Sequence, residues 1–448
     1  MRGVRTFLIL LLLLAGLGSY VYFVESKRDP SSSSDKDKVF SVEADKIDEI
    51  MVKAESGERT TLRKKGTEWQ IAEPQAPGMS TQPDGAEVSG LTTNISNVEV
   101  QRVIDENPGD LTEYGLAQPR LEVTFKENGK SHTLQIGRKS PTNTDLYAKL
   151  SDQKRVFLIP SYLDGTFNKT TFALRDKTVL KIDREKIDAF GVTSPKQTLH
   201  FVKAGNEWQM TTPVKTRADF TAVDSLVSRV HTLQMKSLAA AEGGALAEYG
   251  LDKPQATLQL GTGSSQAVLL LGKSAGEGAI YAKDQSRPAV FTVDSTLVTD
   301  ATKDPGEFRQ KDLFDARPFN STRIDVARGA ETISFEKTKV KNKEGQDEEK
   351  WRQVAPSAKD VDQTKMDNLV SAVTGARATG FAESAAKTGL DKPEITITVK
   401  SDDGKREEKV AMARSGSDGF ALRTGEPGAA TVDIATIENI VKAVDALK

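Results

Sequence analysis

The sequence predicts an α+β protein: an N-terminal transmembrane helix followed by three tandem homologous repeats of antiparallel sheet plus helices. Three observations carry this expectation. A run of 19 uncharged residues, Thr6 to Val24, sits between Arg5 and Glu25. The heptapeptide EYGLAQP at 113–119 returns as EYGLDKP at 248–254 and, in worn form, as KTGLDKP at 387–393. Around these landmarks apolar residues alternate with period two, except for one stretch per repeat spaced by three and four.

The apolar run comes first. As a helix it spans about 28 Å, close to the hydrocarbon thickness of a bilayer. Tyr20, Tyr22 and Phe23 would stand at its far interface, where aromatic rings are favoured. A cleaved signal peptide is the rival reading, because Gly16, Gly18 and Ser19 are small. No cysteine follows, which excludes a lipoprotein anchor. Flanking charge does not decide the orientation: Arg2 and Arg5 face Lys27, Arg28, Lys36 and Lys38. A short basic start running directly into leucines reads as an export signal. The expected layout is a cytoplasmic stub (1–5), a signal-anchor helix in the bilayer (6–24) and a flexible Ser/Asp/Lys linker (25–38). The bulk of the chain would then lie outside the cytoplasm, on the periplasmic face of the inner membrane.

Composition limits the chemistry. The chain has 448 residues, too many for one core, and 37% hydrophobic against 28% charged residues suits soluble domains after the anchor. A net charge of −2 gives no bulk attraction to nucleic acid. With no cysteine, disulfides, thiolate nucleophiles and Cys-based metal sites are excluded, and three histidines leave little for a histidine site.

The repeats are expected at 39–180, 181–314 and 315–448. Each opens on a basic-Ile-Asp step: Lys46-Ile47-Asp48, Lys186-Ile187-Asp188, Arg323-Ile324-Asp325. A strand pair follows and ends in the chain's only tryptophans, Trp69, Trp208 and Trp351. The segment before each tryptophan varies, up to the charged insert KVKNKEGQDEEK, which reads as an exposed hairpin tip. An amphipathic helix comes next. Its apolar positions are Val88, Leu91, Ile95 and Val98, then Val223, Leu226, Val227 and Val230, then Met366, Leu369, Val370 and Val373. After the GL-x-x-P stretch, alternating strands meet at turns of Asn128-Gly129, Thr262-Gly263 and Asp403-Gly404. Two more strands read LYAKL, IYAKD or FALRT, then VFLIP, VFTVD or ATVDI. A basic clasp, RDKTVL (175–180) or RQKDLF (309–314), closes the first two repeats. The third ends instead in TIENIVKAVDALK, an apparent terminal capping helix.

The thrice-written heptapeptide reads as a turn. Gly115 can take positive φ and Pro119 directs the chain into the next strand. In the third copy the tyrosine becomes Thr388, whereas Gly389, Leu390 and Pro393 persist. What recurs is backbone direction; the reactive side chain is lost.

Other candidates weaken on inspection. LLLGKSAG (269–276) imitates the end of a phosphate-binding loop, but Ala267 stands where its first glycine belongs. GTGSSQ (261–266) aligns with the Asn128-Gly129 turn. His132, His200 and His231 share no repeat position. Asp48, Asp188 and Asp325 recur but follow isoleucines of buried type, which favours capping or surface ion pairs over acid catalysis. The tryptophans read either as core anchors or as ligand-stacking platforms. No catalytic, cofactor-binding or metal-binding residue is assigned, and no cofactor is expected.

An anchor followed by basic-Ile-Asp, E-W-x-[IM], Y-G-L-x-x-P and a clasp standing as FALRDK (172–177) and FRQK (308–311) resembles the bacterial family called domain of unknown function 4340. The resemblance covers nearly everything from Val39 on. The third repeat departs from it at Thr388 and in lacking the clasp. Members resemble envelope proteins often encoded beside ABC-transporter permease and ATPase components and a gliding-type auxiliary protein. The anchor, the flexible tether, the tandem units and the absence of a reactive constellation lead to the expectation of a non-enzymatic, membrane-anchored accessory or scaffold subunit, and the resemblance implies a permease or gliding-type auxiliary proteins as its partners. The alternatives are an envelope enzyme acting on polysaccharide or peptidoglycan through paired carboxylates, and a receptor using Trp69, Trp208 and Trp351.

Overall fold

A computed structural model describes residues 37–75, 79–341, 346–382 and 387–448. The stub 1–5, the helix expected over 6–24 and the tether through residue 36 lie outside the described residues. Among the described residues no helix is long and apolar enough to cross a membrane, which does not bear on β-barrels. The chain divides into two compact units, one ending at Lys177 and one running from Thr178 to Lys448.

The first unit is built on an eight-stranded sheet, each neighbouring pair antiparallel. From edge to edge it runs Glu68–Glu73, Arg59–Lys65, Ile47–Lys53, Leu121–Glu127, Lys130–Lys139, Asp145–Leu150, Val156–Pro160 and Arg102–Asp105. Strand alternation puts Ile50, Val52, Leu62, Val123 and Phe125 on one face, all buried. Helix Gly85–Asn97 covers that face with Val88, Leu91 and Ile95. It starts where Asp84 accepts hydrogen bonds from the Ala86 and Glu87 amides, satisfying two of the helix's orphan donors.

The second unit holds two nine-stranded sheets with the same strand order, plus a two-residue edge strand, Thr216–Arg217 or Lys359–Asp360, beside the tryptophan strand. Their helices, Phe220–His231 and Gln363–Thr374, are capped by Asp219 and Asp362 and bury the valines, leucines and methionine that the spacing identified. Three antiparallel sheets with one topology and few helices are therefore present, as the repeats predict.

The heptapeptide is a turn in all three places. Gly115, Gly250 and Gly389 have φ of +69°, +67° and +74°. Its partner was not visible in sequence. A Cβ on Gly137 would lie 2.1 Å from the Tyr114 carbonyl oxygen, and one on Gly272 2.2 Å from that of Tyr249. The glycine of the GKS tripeptide is thus required where a turn presses on a strand. In the third repeat the register places Ala413 at this point, and the tyrosine's substitute Thr388 is buried.

Four details differ from expectation. The charged insert extends the ladder rather than the loop: Glu331–Lys341 pairs with Asp347–Ala355 as far as Lys341 opposite Asp347. Within FALRT, Ala421 opposes Met412 as Ala148 opposes Ile136. Phe420 therefore takes the tyrosine position, and Arg423 stands one place further along than the lysines it was aligned with. The C-terminal helix Ile434–Asp445 is no added cap. It follows the last strand just as Leu163–Phe167 and Thr296–Ala301 do, and buries Ile437, Ile440 and Val444 in its own repeat's core. Finally, Asp37 and Lys38, read as the end of the tether, belong to the first unit: Lys38 bridges to Glu99, and the Val100 amide donates to Asp37.

Candidate functional site

A cluster of polar side chains lies within the second unit, where its two sheets join. The clasp residues 309–314 lace them together. Arg309 bridges to Ala218 and the Gln310 amide donates to Arg217, at the start of helix Phe220–His231. A few residues on, the Ala378 amide donates to Lys311 and Leu313 donates to Ala376, just past helix Gln363–Thr374. One extended segment thus satisfies backbone groups beside two helices.

Charge reinforces the joint. Arg217, on the edge strand of the second sheet, ion-pairs with Glu426 and Asp315 and donates to the Asp312 carbonyl at 2.8 Å. Arg423 reaches Asp315 at 3.0 Å, Glu408 at 2.7 Å and the Leu313 carbonyl at 3.0 Å. Glu408 in turn accepts from the Asp315 and Ala316 amides. Burial pulls the Arg217 pKa down, but Glu426 and Asp315 outweigh it and hold the pKa above its ordinary value. Burial likewise raises Asp315, yet the Arg217 and Arg423 charges prevail and its carboxyl sits below the usual range. Asp315 and Glu408 are two carboxylates that share the Arg423 guanidinium. Both are engaged by arginine, and Asp315 is biased towards ionisation, the reverse of what a general acid requires.

Two recesses flank the joint, ≈ 780 Å³ beside Lys215, Arg217 and Glu426, and ≈ 530 Å³ beside Arg309, Phe381 and Gly428. Between them Pro213 and Pro427 line both. The Arg309 guanidinium carbon lies over Phe381, 3.7 Å from the ring centroid, and Nη2 donates to the Pro427 carbonyl. Its Nε is buried without a partner. Burial pushes its pKa down, with Glu426 opposing.

The residues singled out from sequence do not converge. Asp48 is exposed, Asp188 accepts from the Gly263 amide at the hairpin tip, and Asp325 pairs with Arg323 at 2.9 Å. His132 stacks on Phe125, His200 meets the Thr211 hydroxyl at 2.8 Å, and His231 meets the Ile182 carbonyl at 3.1 Å. Among the described residues no group of metal-ligating side chains forms. Two tryptophans are core: Trp208 is 1% exposed and Trp351 4%. The receptor reading is corrected for these two, since a buried indole offers no stacking face. Trp69 is only half-buried. Sequence reasoning marked Arg309 only as part of the clasp and missed Arg217, Glu426 and Phe381 altogether. The clasp was a sequence signal for Arg309 alone, and it did not reveal what the clasp would touch.

A family model described as "Domain of unknown function (DUF4340)" matches residues 77–207 and 208–393. The two matches meet inside the tryptophan strand Glu207–Thr212, so the family's unit is out of phase with the sheets. No curated protein matches the sequence. Among solved structures, the chain is similar to a DNA polymerase sliding clamp from Pseudomonas aeruginosa with ligand, at 9% identity and a TM-score of 0.15, covering 88% of this chain and 92% of that one. A DNA polymerase III subunit beta from the same organism gives 10% identity, a TM-score of 0.16 and coverage of 88% and 93%. At these scores the likeness carries no argument about fold or function.

Proposed function

Given that the chain belongs to the domain of unknown function 4340 family, we propose that it is a non-enzymatic, membrane-tethered accessory or scaffold subunit of an ABC-transporter-type complex. In this reading residues 6–24 anchor it in the inner membrane and the repeats stand outside the cytoplasm. The observation that supports the reading best is the joint inside the second unit. Two sheets are laced by one clasp and by an ion-pair cluster around Arg217 and Arg423, so their outer faces keep a set orientation. A scaffold needs this property, because partners docked on separate faces are aligned only as well as the body between them is rigid. What recurs between the repeats fits the same view: core residues, caps and turn glycines recur, whereas the heptapeptide tyrosine and the histidines do not.

The test is affinity purification of the tagged full-length chain from detergent-solubilised membranes. A permease and an ATPase component are expected to co-purify in defined stoichiometry. Recovery of the chain alone, or its release from membranes by alkaline carbonate, would overturn the reading.

A further inference from the structure

The three repeats place a tryptophan at one site, but only the first repeat leaves its indole half open. The reason lies in what stands above it. In the second repeat Arg184, just before the Ile-Asp step, reaches across to Asp224 at 2.5 Å and to the Ser228 hydroxyl at 3.3 Å, both on helix Phe220–His231. Counting from the shared Ile-Asp step and the shared Asp cap, the first repeat has Ala44 for Arg184, Ser89 for Asp224 and Thr93 for Ser228. The plug is absent. The third repeat uses another device: Gln363 accepts from the Trp351 amide and donates to its carbonyl, both at 2.9 Å. The first repeat has Gly85 there. A lysine opposes each tryptophan across the ladder, and in the second and third repeats it lies over the ring, at 6.0 and 5.4 Å from the centroid. Lys64 turns away instead and donates to the Asp45 carbonyl at 3.2 Å.

With small residues at Ala44, Gly85, Ser89 and Thr93, and with Lys64 turned away, a recess of ≈ 480 Å³ is left within the first unit. That volume is within the ordinary range for a small-ligand site. Trp69 forms part of its wall. Ser89, Thr92 and Thr93 line it from the helix, and Asp45, Glu68 and Lys64 from the sheet side. The lining has an aromatic face, hydroxyls that both donate and accept, and charges of both signs.

We propose that this recess binds a neutral saccharide, with the apolar C–H face of a pyranose ring stacked on Trp69 and its hydroxyls bonded to the surrounding side chains. A flat ring that is apolar on its faces and hydroxylated around its rim matches an indole bordered by mixed donors and acceptors. The opposed charges of Lys64 against Asp45 and Glu68 give no strong pull on an ionic ligand. The inference is independent of the scaffold reading, because it concerns the first unit alone.

The experiment titrates the full-length chain in detergent with cellobiose, maltose and N,N′-diacetylchitobiose, following tryptophan emission, alongside a printed array of neutral glycans. Saturable binding to at least one saccharide is expected, with Trp69 becoming shielded from acrylamide. Trp69→Ala should weaken it at least about tenfold. The double variant Ala44→Arg/Ser89→Asp rebuilds the second repeat's plug, leaves Trp69 in place, and should weaken binding as much while keeping the thermal midpoint. Absence of binding to every glycan, or unchanged binding by the plugged variant, would overturn the proposal.

Discussion

If Arg217 locks the two sheets of the second unit, removing it should uncouple them. Its side chain is 20% exposed, and those of Glu426 and Asp315 are 15% and 36% exposed. Removing one partner of a fully buried ion pair costs about 3–5 kcal/mol. Here the loss is smaller. Glu426 keeps the Thr216 hydroxyl at 3.2 Å and Arg423 at 3.8 Å, and Asp315 keeps Arg423 at 3.0 Å. The partial exposure of Asp315 discounts its share further, leaving about 2 kcal/mol for Arg217→Ala. In urea, a Trp69→Phe background leaves Trp208 and Trp351 as reporters of the second and third sheets. In the parent they should unfold at one midpoint. Arg217→Ala should lower it, and a double-mutant cycle with Glu426→Ala should return a coupling of about 1 kcal/mol or more. Additive single effects, agreeing within about 0.5 kcal/mol, would show that the pair couples nothing and would refute the argument.

Further outcomes follow from the same geometry. Gly272→Ala forces a Cβ to 2.2 Å from the Tyr249 carbonyl, so its turn must move; a loss of about 1–3 kcal/mol by denaturation is expected, and a change under about 0.5 would contradict it. Trp208→Ala should cost about 3–5 kcal/mol, because the indole is 1% exposed; Trp69→Ala should cost clearly less, and equal losses would remove the distinction drawn between them. Asp219→Ala deletes the acceptor of the Ala222 amide and should lower stability by about 1 kcal/mol, whereas Asp219→Asn should recover most of it. The folded-state pKa of Asp315 is below its unfolded one. Its contribution is therefore present above the ordinary carboxylate range and lost as pH falls through the lowered value. Between pH 5 and 2 the parent should lose more stability than Asp315→Asn, as followed by urea midpoints.

Much of the fold was legible because its signals are local. The helix over 85–97 was marked by Val88, Leu91 and Ile95 at helical spacing, and the hairpin at 128–129 by residues that tolerate positive φ. Each of these is decided within a few residues of chain, where backbone sterics and side-chain period act. Three repeats could be counted because the same local decisions were written three times. Other features had no local trace. The cis bonds Glu73-Pro74, Thr212-Pro213 and Ala355-Pro356 recur just after the tryptophan strand, yet each reads in sequence as an ordinary X–Pro step.

The sequence by itself determined the strand and helix order, the core faces, the turn glycines and the absence of thiol chemistry. Tertiary structure alone decided that Gly137 faces the Tyr114 carbonyl, that Arg217 meets Glu426, and that Trp69 stays half-buried while Trp208 is sealed. The physical reason is range. Arg184, for example, meets Asp224 from 40 positions away. No periodicity or turn chemistry encodes such a contact until the sheet has brought both side chains to the same place.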